Sequence, residues 1–102
     1  MIDISKNAEL VSITLSGGVV GDVFPELKKS FQDALKADTS QISLDLSGME
    51  SLDVSGLQLL LSFISTAQNK NRVLVITGLS DPAVRKKFEE YGVMPDFLET
   101  VQ

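Results

Sequence analysis

Polar and apolar residues alternate at the start of the chain, which is the period-2 pattern of a strand with one face on a core. The apolar positions of the two alternating runs are Ile2, Ile4, Val11, Ile13 and Leu15. A turn-forming segment at residues 6–8 separates the runs, so the pattern predicts an N-terminal hairpin. Gly17 and Gly18 are expected to end the second strand, with a short further strand at residues 19–20.

A helical spacing replaces the alternation in the next segment. Its apolar residues recur every three or four positions, at Phe24, Leu27, Phe31, Ala34 and Leu35. This spacing predicts an amphipathic helix with its polar face toward solvent. Asp22 is expected to be its N-cap, Pro25 falls in its first turn, and the helix is expected to end near Ala37.

Two strands are predicted in the second half of the chain. Ile42, Leu44 and Leu46 alternate with polar residues, and Gly48 is expected to end that strand. The continuous apolar run at residues 73–76 predicts an interior strand whose neighbours cover both of its faces.

The most apolar helix is predicted between these strands, from Ser55 to Asn69. Ser55 and Gln58 fit a capping box, and Val54 and Leu59 occupy the positions of a hydrophobic staple. At 3.6 residues per turn the core-facing stripe consists of Leu57, Leu60, Leu61, Ile64 and Ala67.

A shorter helix is predicted near the C-terminus. Ser80 fits its N-cap, Pro82 its first turn, and Gly92 its end. The apolar face of this helix consists of Val84, Phe88 and Tyr91. The tail at residues 94–101 keeps enough apolar residues to dock on the rest of the chain, as a short helix or as a terminal strand.

Strands that alternate with helices predict an α/β fold: a small mixed sheet of about four to five strands, with helices packed mainly on one face. The length of 102 residues and the hydrophobic fraction of 43% suit one core, so residues 1–102 are expected to form a single domain. The net charge of −5 argues against nucleic acid as a partner, because that binding depends on clustered Lys and Arg.

The composition also narrows the possible chemistry. The chain has no Cys and no His, which excludes thiol and imidazole catalysis and the zinc sites built from those ligands. No metal or cofactor is expected. No signal peptide or membrane-spanning run is apparent, so no direct membrane insertion is expected and a cytoplasmic location is the default.

One stretch carries a family resemblance. The run LDLSGMESLDVSGLQLLL at residues 44–61 resembles the signature of STAS domains, the family of anti-sigma-factor antagonists. Residues 77–93 are similar to the last helix of that family, and the resemblance extends over residues 9–98. It implies a STAS-like fold. It also implies that Ser55 is a phosphoacceptor, with Asp53 on the same surface, whereas Val54 stands where the family often has Ser.

Each of these residues also has a purely structural interpretation. Ser55 would serve only as a helix cap, and Asp53 only as a turn residue that binds nearby N–H groups. Asp45 is expected on a solvated face of the sheet. On the helical wheel Leu59, Ser62 and Thr66 share the side of Ser55, with Phe63 at its border, which suggests a docking surface, although Leu59 and Phe63 would also fit under a loop. The predicted partner-binding residues are Asp53, Val54, Gly56, Leu59, Ser62 and Phe63.

The resemblance implies two possible functions. In the first, the chain is a phosphorylation-switched binding module whose partner is an anti-sigma factor or serine kinase of the histidine-kinase-like ATPase fold, with a phosphatase that reverses the modification. In the second, it is a constitutive accessory subunit of a lipid-transport, anion-transport or chemotaxis-linked assembly. An enzyme is not expected, since no carboxylate pair, phosphate-binding glycine loop or base accompanies Ser55. The oligomeric state stays open.

Overall fold

The computed structural model describes residues 2–93 as a four-stranded sheet with helices in the connections. The strands are β1 (Ile2–Lys6), β2 (Leu10–Val19), β3 (Gln41–Leu52) and β4 (Val73–Thr77). The helices are a 3-10 turn (Gly21–Val23), α1 (Phe24–Lys36), α2 (Val54–Asn69) and α3 (Pro82–Glu89). The α/β fold with a small mixed sheet is confirmed. The predicted alternatives for the tail at 94–101 lie outside the described residues.

The sheet has the strand order β1-β2-β3-β4. The predicted N-terminal hairpin is confirmed, because β1 pairs antiparallel with β2. β2, β3 and β4 are parallel, so α1 and α2 are successive crossovers that step in the same direction across the sheet. Right-handed crossovers of this kind put both helices on one face. Because each helix connects the end of one parallel strand to the start of the next, the two helices run parallel to each other. Their N-termini therefore lie at the same edge of the sheet.

The core fills the space between the sheet and these helices. Its fully buried members come from every layer, and the largest are Phe88, Ile13, Leu15, Leu27, Ile42, Leu44, Leu46, Leu60, Leu74 and Leu79. The predicted stripe of α2 is largely confirmed, with Leu57, Leu60, Ile64 and Ala67 buried. Leu61 is only half-buried at the margin of the core, and Phe63 is buried in addition.

The expectation that glycines end β2 and β3 is wrong. Both strands continue through them, β2 to Val19 and β3 to Leu52. The pairing of the two strands shifts register between Thr14 and Ser16 and again between Gly17 and Gly18. Gly17 adopts a positive φ of 76° there, so the glycine permits an irregularity in the ladder without ending it. The extended strands reach the edge at which α1 and α2 begin.

The prediction of an interior strand at residues 73–76 is also wrong in part. β4 exists, but among residues 2–93 it is the edge strand beside β3. Its outward side chains Val73 and Val75 are 45% and 38% exposed, whereas Leu74 is completely buried. One face of β4 is therefore covered, and the continuous apolar run does not distinguish this arrangement from a strand covered on both faces.

Helix starts differ from prediction by one or two residues. Asp22 lies in the 3-10 turn, and the residue before α1 is Val23, which makes no side-chain cap. Asp81, rather than Ser80, caps α3 by accepting a hydrogen bond from the N–H of Ala83. Pro25 in the first turn of α1 is confirmed.

Candidate functional site

The β3–α2 junction has a different cap from the predicted one. Asp53, not Ser55, is the N-cap of α2, and its Oδ1 accepts a hydrogen bond of 2.8 Å from the N–H of Gly56. The capping box of Ser55 with Gln58 is therefore wrong, because an Asp two residues upstream supplies a stronger charged acceptor. The staple positions that belong to this cap are Leu52 and Leu57, which are both buried, rather than Val54 and Leu59.

Asp53 also holds a second element of the fold. Its Oδ2 accepts a hydrogen bond of 2.8 Å from the N–H of Gly21, the first residue of the 3-10 turn before α1. The N–H groups of Gly56 and Gly21 hold the pKa of Asp53 below its ordinary value of 3.8. The structural interpretation of Asp53 is thus correct, and it includes a long-range partner that local turn chemistry does not reveal.

Gly56 is required by packing. It is buried in the first turn of α2 against the backbone of Val19, the last residue of β2. A Cβ atom at Gly56 would overlap the carbonyl oxygen of Val19 and lie 2.8 Å from its carbonyl carbon. The N–H of Asp53 donates to the same Val19 oxygen at 3.3 Å. A burial of this kind makes Gly56 part of the scaffold rather than of an exposed partner surface.

A third element supports the junction from the other side. The hydroxyl of Tyr91, just beyond α3, donates a hydrogen bond of 3.0 Å to the carbonyl oxygen of Leu52. Leu52 directly precedes Asp53. Tyr91 is 40% exposed, and its hydroxyl links the segment after α3 to the end of β3, directly before α2.

Ser55 is the second residue of α2 and is partly exposed. Its neighbour Val54 is 52% exposed, which is high for a branched apolar side chain. Since Asp53 performs the capping, the hydroxyl of Ser55 is not the N-cap acceptor of the helix. Its position is the one at which helix N–H groups and the helix dipole favour added negative charge.

The rest of the predicted surface extends from Ser55 along α2. Leu59 is half-buried, Ser62 is exposed, and the hydroxyl of Thr66 donates to the carbonyl oxygen of Ser62 at 2.9 Å. With α1 these residues form a groove of about 270 Å³, which we call the α1–α2 groove. Its lining consists of Lys28, Phe31, Gln32, Leu35, Leu59, Ser62, Phe63 and Thr66.

Phe63 does not lie on the exposed part of this surface. Only 2% of it is exposed, and its ring stacks on that of Phe31 with the centroids 4.2 Å apart and the planes 15° apart. The structure therefore brings Asp53, Val54, Ser55, Leu59 and Ser62 to one accessible surface, whereas Phe63 forms the floor of the groove and Gly56 lies beneath the first turn.

Sequence reasoning missed Gly21, Val19 and Tyr91 as neighbours of the site. The only sequence signal for them is that each lies next to a predicted element boundary. Asp45 is half-buried on the opposite side of the sheet from the core, as its place in the alternation predicted. The N–H of Ser47 donates to its Oδ1 at 2.9 Å and, with the hydroxyls of Ser47 and Thr77, lowers the pKa of Asp45.

Within residues 2–93, no helix is both long and apolar enough to cross a membrane. The same residues contain no group of three or more carboxylates arranged to hold a metal ion.

Comparisons with known solved structures agree with the fold. No curated protein matches the chain significantly in sequence. A crystal structure of an anti-sigma factor antagonist from Mycobacterium paratuberculosis superimposes with a TM-score of 0.70 and 19% identity, over 98% of this chain and 91% of that one. The phosphorylated form of the Bacillus cell fate determinant SpoIIAA gives a TM-score of 0.67 and 18% identity, over 91% and 85% of the two chains.

A third similar structure is a sulfate transporter family protein from Wolinella succinogenes, with a TM-score of 0.64 and 19% identity over 92% of this chain and 70% of that one. By contrast, the chain spans only 19% of the length of Mglu, another protein that it resembles in fold. At these identities the structures establish the fold. The family model described as "Mlab, STAS domain" matches residues 2–98. The chain therefore belongs to the STAS-domain family.

Proposed function

We propose that the chain is a single-domain, cytoplasmic binding module whose partner detects whether Ser55 carries a phosphoryl group. The observation that supports this proposal is the position of Ser55: partly exposed in the first turn of α2, beside the exposed Val54, with the capping role taken by Asp53. A hydroxyl in this place is reachable by a kinase. Phosphorylation of Ser55 removes neither of the hydrogen bonds that the Asp53 carboxylate accepts from Gly21 and Gly56.

Phosphorylation would change the surface far more than the fold. A phosphoryl group adds about −1.5 to −2 charges and three acceptor oxygens. The helix N-terminus partly compensates that charge, whereas a partner that covers Ser55 would have to desolvate it. Asp53 lies two residues away and is ionised at neutral pH, since its pKa is lowered. The combined negative charge disfavours a partner that binds the unmodified surface.

The proposed partner is an anti-sigma factor or serine kinase of the histidine-kinase-like ATPase fold. In the modification step the Ser55 oxygen attacks the γ-phosphorus of ATP, the bond to the β-phosphate oxygen breaks, and ADP and a proton leave. A phosphatase then hydrolyses the phosphoserine to restore the hydroxyl. Similarity in fold to a named anti-sigma factor antagonist and to a phosphorylated SpoIIAA supports this choice of partner class.

The test combines phosphate mapping with a binding assay. The chain is incubated with its candidate kinase and ATP, and the product is mapped by mass spectrometry. We expect label on Ser55 and not on the exposed Ser51. Ser55→Ala should bind the partner whether or not ATP is present, while Ser55→Asp should bind more weakly. Label elsewhere, or equal binding by both variants, would contradict the switch.

A second candidate function is a constitutive accessory subunit of a lipid-transport, anion-transport or chemotaxis-linked assembly. The family model named for Mlab and the similarity in fold to a sulfate transporter family protein favour it. In that case Ser55→Ala and Ser55→Asp would bind the assembly with equal affinity. Comparison of Ser55→Ala with Ser55→Asp in the same binding assay therefore separates the two functions.

A further inference from the structure

We propose that phosphorylation of Ser55 loosens the 3-10 turn that leads into α1, because the phosphoryl group competes with the Asp53 carboxylate for the N–H groups at the start of α2. The inference rests on the proposed function, since it names a consequence of that modification inside the chain. Its basis is the double role of Asp53, whose two oxygens join the start of α2 to Gly21.

The 3-10 turn depends on Asp53 for side-chain support. The turn at Gly21–Val23 contains no buried residue. The N-cap positions of the turn and of α1 are occupied by Val20 and Val23, whose side chains make no cap. The Oδ2 atom of Asp53 supplies an acceptor at 2.8 Å from the Gly21 nitrogen. A change in the position of this carboxylate therefore acts directly on the turn.

The two hydrogen bonds of the Asp53 side chain are coupled by geometry. Oδ1 accepts from the N–H of Gly56 and Oδ2 from that of Gly21, each at 2.8 Å. The two oxygens belong to one planar carboxylate, so a movement that takes Oδ1 away from Gly56 also changes the position of Oδ2 relative to Gly21. A group that competes with Asp53 at the start of α2 thus weakens the contact with the turn.

A phosphoryl group on Ser55 would lie close to this carboxylate. An N-cap side chain lies over the N–H groups of the second and third helical residues, which in α2 are Ser55 and Gly56. Accordingly, the N–H of Ser55 lowers the pKa of Asp53, although less than those of Gly56 and Gly21 do. Covalent geometry keeps the phosphorus of a phosphoserine within about 5 Å of its own backbone nitrogen. The two anions would therefore lie about one Debye length, or about 8 Å, apart or closer.

The charges favour the phosphoryl group in this competition. The start of a helix provides about half a positive charge, whereas a phosphoserine brings about −1.5 to −2 charges beside the single charge of Asp53. The segments that meet at the junction, residues 12–27 and 41–69, contain no Lys or Arg to neutralise the added charge. The phosphoryl group is thus the stronger acceptor for the N–H groups of the first turn. Both oxygens of Asp53 remain as acceptors, so the 3-10 turn is loosened while the core is unaffected.

The test uses the full ¹⁵N-labelled chain with phosphoserine installed at position 55 by semisynthesis, so that no kinase is needed. Exchange of individual amide protons with water is measured by NMR at constant pH and temperature. We expect the Gly21 amide to exchange several-fold faster than in the unmodified chain, and the amide of the buried Leu44 in β3 to be unchanged. Phosphoserine at the exposed Ser62, about two turns further along α2, is the matched control and should leave Gly21 unaltered.

Variants at positions 53 and 55 show whether the effect passes through the carboxylate. Asp53→Asn keeps an oxygen for Gly56 but has no second acceptor for Gly21, so phosphoserine at position 55 should cause no further acceleration at Gly21 in this variant. Ser55→Glu and Ser55→Gln repeat the comparison with Asp53 intact, because the two side chains have the same shape and differ in charge. Gly21 should exchange faster in Ser55→Glu than in Ser55→Gln.

The inference is overturned by unchanged Gly21 exchange in the phosphoserine chain, by equal acceleration from phosphoserine at position 62, or by equal acceleration in Asp53→Asn. Its failure and that of the proposed function are distinguishable. If the kinase labels Ser55 and binding weakens while Gly21 exchange is unchanged, the switch acts through the surface alone. If Gly21 exchange rises in the semisynthetic chain but the candidate kinase leaves Ser55 unlabelled, the coupling exists and the proposed function fails.

Discussion

Asp53 and Gly21, 32 positions apart in the chain, are joined by a hydrogen bond of 2.8 Å between the Asp53 carboxylate and the Gly21 N–H. The other oxygen of the same carboxylate caps α2 through Gly56. One side chain therefore fixes the start of α2 and the turn that leads into α1. Both segments lead into the helices that line the α1–α2 groove.

Removal of this carboxylate should destabilise the fold. We expect Asp53→Ala to lower the melting temperature by several degrees, because two backbone N–H groups lose their acceptor. Asp53→Asn should lower it less, since the amide oxygen can still cap Gly56 while its NH₂ group cannot accept from Gly21. Thermal unfolding followed by circular dichroism measures both. Equal melting temperatures for Asp53→Ala and the unmodified chain would show that the bridge contributes nothing.

The carboxylates of Asp53 and Asp45 should make stability depend on acid pH. Both pKa values are lowered from 3.8, first by the N–H of Gly56 for Asp53 and by that of Ser47 for Asp45. The folded state thus binds these protons more weakly than the unfolded state does. Their stabilisation is complete above pH 3.8 and is lost as the pH falls through the folded-state values. Urea unfolding at about pH 7 and about pH 3 measures the loss, which should be smaller in Asp53→Asn.

Gly56→Ala should be strongly destabilising. In an exposed helix this change stabilises by up to about 1 kcal/mol, but here the new methyl group would overlap the backbone of Val19. We expect the free energy of unfolding to fall by about 3 kcal/mol, since the backbone of β2 has to move. Ser62→Ala, at an exposed position of the same helix, is the matched control and should change it by less than about 0.5 kcal/mol. A neutral Gly56→Ala would mean that α2 is not seated against β2.

Tyr91→Phe should loosen the start of α2 without affecting the core. The change deletes the hydroxyl that donates to Leu52 and should cost about 1 kcal/mol. Amide hydrogen exchange is the specific readout, because the first turn of α2 should exchange faster while the amides of β2 keep their protection. Uniform acceleration in every element would instead indicate a global loss of stability.

Phe63→Ala should act through stability rather than through a lost surface contact. The ring is buried and stacked on Phe31, so its truncation should cost about 3–5 kcal/mol. Leu59→Ala, one turn earlier and half-buried, should cost clearly less. Urea unfolding of the two variants gives the comparison. If Phe63→Ala retained normal stability but lost partner binding, the original assignment of Phe63 to the docking surface would be restored.

The amino-acid pattern was sufficient for β1 to β4, α1 to α3 and their order, although the separate short strand expected at residues 19–20 is the end of β2. Period-2 and helical spacings predicted the hairpin, the strand at Ile42 and α2, because periodicity is a property of neighbouring residues. The DVSG turn also located the candidate site, through a family resemblance that the family match over residues 2–98 supports.

Only the tertiary structure decided how that site is held. Asp53 rather than Ser55 is the cap of α2, and its second oxygen binds the Gly21 N–H, which β2 brings across from 32 positions away. Phe63 became core because Phe31 of the neighbouring helix stacks on it. Gly56 has no room for a Cβ atom because the backbone of Val19 lies against it. Each of these contacts joins residues more than 30 positions apart, and local spacing carries no information about which distant segment the folded chain brings to a given side chain.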